Sequence, residues 1–349
     1  MMRMKWLCGV IGFVVAGTSI AAAAEPVEVR VGIASAISDV AIFIAQKKGY
    51  FRDEGITAKT TTFTSASFMV APLGAGNLDV AGGSPSAGLY NAVARGIQLR
   101  IVADKASSPP GYGVNAIMVR KALIAGGRFK SLKDLKGMKV ALAGRGVSSM
   151  ITLNDALESV GLKYSDVDVI DMSFPNILVA FQNGAIDAGI PTEPFITLAT
   201  KRGSAVKIRS DDQIDPGHQI AALMYSQKFA QDEPKVAVSF MRAYLRGVRF
   251  YNDALKGGRL AGPTADEVIA ILVESTPIKD PAVFRAITPA GNNPNGRVNV
   301  ASLKHDQAFY RQLGLLTADV NVDQVVDYSF VDAALKTLGP YKPMAEEAK

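Results

Sequence analysis

Short runs rich in β-branched residues alternate along this chain with amphipathic stretches, and the alternation begins at Val27. Residues 27–34 and 56–63 are typical of strands, and residues 41–45 between them have the spacing of a helix that ends at Gly49. Strands separated by helices usually pair in parallel, because a crossover connection is needed to bring the chain back. The pattern predicts an α/β protein with largely parallel sheets.

A loop rich in proline and glycine, residues 109–113, interrupts this pattern, which then starts again. A second extended run, residues 218–226, is predicted to cross back to the first unit. Roughly 325 residues follow the N-terminal segment, a length that favours two domains. We therefore predict two lobes joined by two extended hinge segments, with lobe I formed by residues 25–112 and 229–349 and lobe II by residues 113–228.

The two predicted lobes share a short motif. Residues 76–81 (GNLDVA) are similar to residues 184–189 (GAIDAG), and each segment is followed by a proline that begins a helix. We expect Asp79 and Asp187 to fix turns by local hydrogen bonding rather than to touch a ligand. The match predicts two lobes of similar topology, with two unrelated helix-turn-strand junctions as the alternative.

The N-terminal segment has the pattern of an export signal. Arg3 and Lys5 precede an uncharged run, residues 7–20, and four alanines follow it. The Ala-x-Ala spacing at residues 22–24 predicts cleavage before Glu25. We expect residues 1–24 to be a cleaved signal peptide and the mature protein to reside in the periplasm.

Composition excludes several classes of function. Cys8 is the only cysteine and lies at the beginning of the uncharged run rather than at its end, which places it badly for lipid attachment. Signal cleavage would therefore leave no thiol for disulfides, nucleophilic catalysis or metal binding. The net charge is +6, but the basic residues are dispersed rather than clustered with aromatics. No nucleic-acid partner is expected. The positive balance suits an acidic solute, although an ordinary solvated surface has the same composition.

Four segments carry a family resemblance by their order and spacing: residues 45–56 (AQKKGYFRDEGI), 76–81, 131–140 (SLKDLKGMKV) and 184–188 followed by Glu193-Pro194. Together they resemble the periplasmic solute-binding proteins of nitrate, sulfonate and taurine ABC importers, which share a fold with thiamine-precursor-binding proteins. The resemblance implies the type II periplasmic-binding-protein fold, which closes on a small-molecule solute between two lobes. It also implies a monomer that delivers the solute to an ABC permease in the inner membrane, without a cofactor or metal.

The ligand site is expected where strands end and helices begin. At the carboxyl ends of parallel strands, helix N-termini present unpaired N–H groups and the positive end of the helix dipole, which together suit an anion. Serines at such turns could bind a carboxylate, sulfonate or nitrate, or they could simply cap helices. The predicted ligand-binding residues are Ser35, Ser38, Asp39, Thr64, Ser65, Ser84, Ser86, Tyr112, Arg145, Ser148, Ser149, Phe174 and Glu193.

Four of these residues carry separate hypotheses. Arg145 lies between two glycines, which leaves its guanidinium room to reach into the cleft or to stay on the surface. Glu193 could receive an amino group of a zwitterionic solute or pair with Arg145. Tyr112 and Phe174 could supply apolar or hinge contacts or belong to the core.

Three other functions compete with solute import. An enzyme on the same fold would need a reactive cysteine or histidine, but the predicted mature chain has no cysteine, and His218 and His305 lie far apart in sequence. A periplasmic sensor would use the same clamp and differ only in its partner. A ligand-sensing transcription factor conflicts with the export signal. We therefore predict a binding protein rather than an enzyme.

Overall fold

The computed structural model describes residues 25–344, so the predicted signal peptide and its cleavage site at Ala24 lie outside or at the edge of the described residues. Two five-stranded sheets form the cores of two lobes, and a short hairpin makes a third, two-stranded sheet. None of the helices within residues 25–344 has the length and apolar character needed to cross a membrane.

The strands, in chain order, are Val27–Ile33 (β1), Ile56–Thr62 (β2), Val80–Gly83 (β3), Arg100–Ser107 (β4), Ala116–Arg120 (β5), Lys139–Leu142 (β6), Asp168–Asp171 (β7), Ala188–Gly189 (β8), Ala205–Ser210 (β9), Gln219–Tyr225 (β10), Leu255–Lys256 (β11) and Arg259–Leu260 (β12). The α-helices are Val40–Lys47 (α1), Tyr50–Asp53 (α2), Val70–Gly74 (α3), Ala87–Ala94 (α4), Lys121–Ala125 (α5), Ser148–Glu158 (α6), Phe174–Asn183 (α7), Phe195–Lys201 (α8), Asp211–Ile214 (α9), Gln227–Asp232 (α10), Pro234–Asn252 (α11), Ala265–Ser275 (α12), Pro281–Ala286 (α13), Val300–Gln312 (α14), Val322–Val325 (α15) and Ser329–Leu338 (α16). Single 3₁₀ turns lie at Ile37–Asp39, Ala66–Met69, Leu132–Leu135 and Tyr164–Asp166.

The two large sheets have the same topology. The lobe I sheet runs β2-β1-β3-β10-β4, with β1 parallel to β2 and β3, and β10 antiparallel to β3 and β4. The lobe II sheet runs β7-β6-β8-β5-β9, with β6 parallel to β7 and β8, and β5 antiparallel to β8 and β9. The predicted α/β class and the two-lobed architecture with mostly parallel sheets are confirmed.

The repeated motif occupies equivalent places in the two lobes. The Arg30 backbone N–H donates to Asp79 Oδ2 at 2.8 Å, and the Lys139 backbone N–H donates to Asp187 Oδ2 at 3.1 Å. Each aspartate thus joins the turn before the third parallel strand of its lobe to the first of these strands. Both aspartates hold their turns by hydrogen bonds, as predicted, but the prediction that these bonds are local is wrong, because their partners lie on other strands of the same sheet.

One predicted lobe boundary needs correction. We predicted that lobe II runs to residue 228, but β10 pairs with β3 and β4 in the sheet of lobe I. All seven of its residues are buried, because the strand lies inside that sheet rather than between the lobes. The second crossing is therefore the segment between β9 and β10, residues 211–218.

Helices in the chain after β10 pack against lobe I. The apolar face of α11 buries Phe240, Tyr244 and Val248 in the lobe I core, and helices α1, α2 and α16 pack against α11. Phe51 stacks on Phe240 with ring centroids 4.8 Å apart. This packing fixes the outer face of lobe I, so the loops at the carboxyl ends of its strands are free to face lobe II.

Candidate functional site

A narrow cavity of about 60 Å³ lies between the lobes, at the carboxyl ends of the parallel strands. Both lobes and the beginning of β10 contribute to its wall. The lining residues are Ala34, Ala36, Ser38, Ser65, Ala66, Gly83, Ser84, Asn115, Ala143, Val147, Ser148, Ser149, Phe174, Thr192, Ile220 and Ala221. Hydroxyl groups and small apolar side chains therefore dominate the site.

The lobe I wall is held in place by a buried ion pair. Lys105 Nζ lies 2.7 Å from Asp39 Oδ1 and donates to Ser38 Oγ at 2.9 Å. The Lys105 and Asp39 side chains are both fully buried. Because Ser38 lines the cavity and Lys105 lies behind it, the lysine orients this hydroxyl and its charge is balanced by Asp39.

The lobe II wall is the N-terminus of α6. Ser148 and Ser149 are the first two residues of this helix, and Val147 at its N-cap supplies no side-chain cap. The positive end of the helix dipole therefore points into the cavity. Ser149 Oγ is buried and has no hydrogen-bond partner. A buried hydroxyl without a partner is costly, so an acceptor in the cavity would satisfy a donor that the protein leaves open.

The lobes touch beside the cavity. The Ser148 N–H donates to Ser84 Oγ at 2.8 Å, and the Ala87 N–H donates to the Gly146 carbonyl oxygen at 2.9 Å. These hydrogen bonds join the loop after β3 in lobe I to the loop after β6 in lobe II. The structure therefore shows the lobes closed on each other.

Six of the predicted residues line this cavity: Ser38, Ser65, Ser84, Ser148, Ser149 and Phe174. They come from three segments of lobe I and two of lobe II, which the fold brings together. Because the predicted residues all follow strands of parallel sheets, the common edge of each sheet collects them.

The other seven predicted residues are not among the lining residues: Ser35, Asp39, Thr64, Ser86, Tyr112, Arg145 and Glu193. Asp39 forms the buried ion pair with Lys105. Ser86 is the N-cap of α4, and its Oγ accepts the Leu89 N–H at 3.3 Å. Helix capping, the alternative role for the serines, thus holds for Ser86.

Ser35, Thr64 and Tyr112 lie around the cavity rather than in its wall. Ser35 Oγ lies 3.1 Å from Thr62 Oγ1. Thr64 is exposed. Tyr112 is half-buried in the first crossing between the lobes, and its backbone N–H donates to Pro109.

Arg145 and Glu193 differ most from what we predicted. The Arg145 side chain is exposed. Burial raises the pKa of Asp171, and the nearby charge of Arg145 opposes this rise only in part. Glu193 is buried and accepts hydrogen bonds from the Thr197 N–H at 3.0 Å and the Thr288 N–H at 3.2 Å. Burial raises the pKa of Glu193. Since Thr288 belongs to lobe I, Glu193 fastens the two lobes together.

Sequence reasoning missed Asn115 and Thr192, which also line the cavity. They form an isolated antiparallel bridge between the start of β5 and the turn after β8. Asn115 does not follow a strand that precedes a helix, the signal used for the other positions. Thr192 does lie between β8 and α8, but the prediction chose its neighbour Glu193 from that turn. Asn115 directly follows the first crossing, so its place next to the turn after β8 depends on the pairing of distant segments.

A buried group of ionisable residues lies at the second crossing. His218 Nε2 lies 3.1 Å from Asp306 Oδ1, and both side chains are fully buried. Burial opposes the charged imidazole, but Asp306, with Asp215 and Asp211, outweighs this effect and raises the pKa of His218 to about 9. Burial also raises the pKa of Asp211 to about 7, while His218 lowers it. This cluster ties the hinge to α14.

A second set of side chains at the back of the cleft has metal-ligand chemistry. The ligand atoms of Asp155, Asp215 and His305 lie within 4.8 Å of one another. His305 Nε2 lies 3.1 Å from Asp155 Oδ2, so the histidine already has a partner. The three residues come from α6, the second crossing and α14, and their contacts join the lobes behind the cavity.

Comparison with known proteins supports one family. The family model described as NMT1/THI5 like matches residues 38–254. A putative aliphatic sulfonates-binding protein of Bacillus subtilis is 30% identical over 237 residues, which are 65% of this chain and 66% of that protein. A putative binding protein of Brucella abortus is 34% identical over 176 residues, 50% of this chain and 51% of that protein. The matched part thus spans about two thirds of the Bacillus subtilis protein and about half of the Brucella abortus protein.

Solved structures share the fold over a longer range. The alkanesulfonate-binding protein of Xanthomonas axonopodis pv. citri, bound to MOPS, has a TM-score of 0.70 at 20% identity and covers 88% of this chain and 100% of its own. The periplasmic nitrate-binding protein of Synechocystis PCC 6803 has a TM-score of 0.72 at 16% identity and covers 90% of each chain. At these identities the likeness shows the fold alone.

The two sheets of equal topology, with a cavity between them, define a two-lobed α/β protein with the fold of the periplasmic binding proteins named above. Within that class the chain belongs to the NMT1/THI5-like family, because the family model matches more than half of its residues. The resemblance inferred from the four sequence segments is confirmed.

Proposed function

We propose that this chain is the periplasmic solute-binding component of an ABC importer and holds a small anionic solute, of the sulfonate, carboxylate or nitrate class, between its lobes. The observation that carries the proposal is Ser149 Oγ, a buried hydroxyl without a partner at the N-terminus of α6. Hydroxyls of Ser38, Ser65 and Ser84 line the same cavity from lobe I. Hydroxyl donors and a helix N-terminus are suited to an oxyanion and need no metal.

The named relatives support the same class of ligand. Proteins described as binding aliphatic sulfonates, alkanesulfonates and nitrate share the family or the fold of this chain. The export signal predicted at residues 1–24 fits a periplasmic location. Delivery to an inner-membrane permease is the role that such a protein has in an importer, and we propose it for this chain acting as a monomer.

An enzyme is the main alternative. A 4-amino-5-hydroxymethyl-2-methylpyrimidine phosphate synthase of Aspergillus parasiticus is 24% identical over 332 residues, 88% of this chain. A desulfurization enzyme has a TM-score of 0.63 at 14% identity. No cysteine, histidine, lysine or carboxylate is among the residues that line the described cavity. A nucleophile paired with a general base is therefore missing from this wall, which favours binding over chemistry.

A thermal-shift screen of the purified protein tests the proposal. The panel contains sulfonates, carboxylates, nitrate, pyrimidine precursors and cationic amines. A true ligand at a hundredfold its dissociation constant should add about 2.7 kcal/mol to the free energy of unfolding. We expect anions to stabilise the protein. Stabilisation by pyrimidines alone would support the thiamine-precursor alternative, and stabilisation by neutral or cationic compounds alone would contradict an anion site.

A further inference from the structure

A second, larger cavity lies beside the cleft. It has a volume of about 360 Å³, compared with about 60 Å³ for the serine-lined cavity. Helices α7 and α8 of lobe II form one side of it, and the end of α12 with α13 of lobe I forms the other. We call this space the side groove.

The side groove adjoins the serine-lined cavity. Ala36 lines both spaces. Phe174 lines the cavity, and the next residue, Pro175, lines the side groove. The ring of Phe174 stacks on that of Phe195, a side-groove residue, with centroids 5.9 Å apart. The two rings therefore lie between the two spaces.

Large apolar side chains line most of the side groove, with Arg202 and Thr276 also in its wall, whereas small side chains and hydroxyl groups line the cavity. Leu178, Val179, Leu198, Leu272 and Ile278 are among its lining residues. Val179 is 52% exposed and is one of few large hydrophobic residues so exposed within residues 25–344. Covering apolar surface that faces water with an apolar group lowers the free energy. The residues of the groove thus suit a hydrocarbon chain.

We propose that the solute is an amphipathic anion, whose charged head lies in the serine-lined cavity and whose apolar tail passes Phe174 and Phe195 into the side groove. This inference rests on the proposed function. The small volume of the cavity leaves room for a head group but not for a long chain, so a tail has to leave by the groove. Because both lobes form the groove, a tail inside it also stabilises the closed arrangement.

A homologous series of ligands tests the inference. The probes are straight-chain alkyl sulfonates and carboxylates from methyl to octyl, so that head and tail vary independently. Isothermal titration calorimetry measures the dissociation constant of each for the purified protein. We expect about fourfold tighter binding for each added methylene until the groove is filled, the gain typical of a buried methylene.

Two variants place polar groups in the groove. Val179→Gln changes an exposed residue, which protects the fold, and Leu198→Gln changes a half-buried one. Each should flatten the dependence on tail length while the methyl compounds bind as in the unchanged protein. Gln182→Ala is the matched control, because Gln182 lies exposed on the same helix as Val179 but does not line the groove.

The outcomes separate the two proposals. If short anions bind but affinity does not change with tail length, or if the dependence on length persists in both groove variants, the side groove does not hold a tail and this inference is overturned. If no anion of any length binds, the anion site itself fails, and the inference falls with it.

Discussion

Ser84 Oγ of lobe I accepts a hydrogen bond of 2.8 Å from the backbone N–H of Ser148 in lobe II. Both residues also line the cavity between the lobes. The same two positions therefore contribute to closure and to the proposed ligand site. Binding and closure are coupled through them, because a ligand that contacts both residues can do so only when the lobes are closed.

Removal of the Ser84 hydroxyl tests this coupling. Ser84→Ala deletes one hydrogen bond between the lobes, which contributes about 0.5–1.5 kcal/mol. We expect the affinity for the best anion to fall roughly three- to tenfold, measured by titration calorimetry. Ser86→Ala is the control, because this residue caps α4 and does not line the cavity. It should cost about 1 kcal/mol of stability and leave affinity unchanged. Equal loss of affinity in both variants would contradict the coupling.

A methyl group at Gly146 should hold the lobes apart. A Cβ at this position would lie 2.8 Å from Ala87 Cβ across the cleft, and the glycine has a φ of +70°. Gly161 is the matched control, because it has a φ of +78° and a Cβ there would meet no atom within 4 Å. Gly161→Ala therefore carries the backbone strain without the clash.

With a saturating anion, small-angle X-ray scattering should give a larger radius of gyration for Gly146→Ala than for Gly161→Ala. Identical radii in the two variants would show that the contact between Gly146 and Ala87 does not limit closure.

The sequence predicted the parts of the site that depend on local signals. Ser84 lies between a strand and a helix, and Ser148 and Ser149 begin the helix that follows a strand, an order that is visible in the residues themselves. Asn115 escaped prediction because it reaches the cavity through an antiparallel bridge to Thr192, in a distant segment. No local pattern reports such a pairing.

The direction in which a side chain points was the other feature that the sequence could not predict. The glycines around Arg145 indicate room at the turn, but they do not determine where the guanidinium points, and it is exposed. Lys105 is a charged residue within a buried strand, and its role emerges only when Asp39 is brought to 2.7 Å by the fold. Tertiary contacts, rather than propensities, decide such positions.

The ion pair of Lys105 and Asp39 should be essential for stability. Asp39→Asn would leave a buried ammonium without its counter-charge, which typically costs about 3–5 kcal/mol. The control is Glu267→Gln, because Glu267 pairs with Lys48 on the surface, where a salt bridge contributes about 0–1 kcal/mol. Urea denaturation measures both values. A cost for Asp39→Asn no larger than that of the control would contradict the role of this pair.

Stability should fall as the pH rises through the range of the hinge histidine. The pKa of His218 is about 9 in the folded protein, above its ordinary value of 6.5, because Asp306, Asp215 and Asp211 together outweigh the opposing effect of burial. A raised pKa means that the folded state binds the proton more tightly, so this stabilisation is complete below pH 6.5 and lost towards pH 9. We expect a loss of up to about 3 kcal/mol over that range.

Denaturation curves at several pH values measure the effect. Asp211, whose pKa burial raises to about 7, contributes in the same direction at lower pH. In His218→Gln the decrease towards pH 9 should become smaller, whereas the decrease caused by Asp211 should remain and move to higher pH, because His218 lowers the pKa of Asp211. A decrease that is unchanged in this variant would assign the effect to another group.

Hydrogen exchange with and without an anion tests the central claim, that the solute is held between the lobes. With the best anion of the screen bound, we expect slower amide exchange in two separate segments together, residues 83–89 of lobe I and residues 146–152 of lobe II. Protection confined to one lobe, or located away from both segments, would contradict a ligand held between the lobes at this cavity.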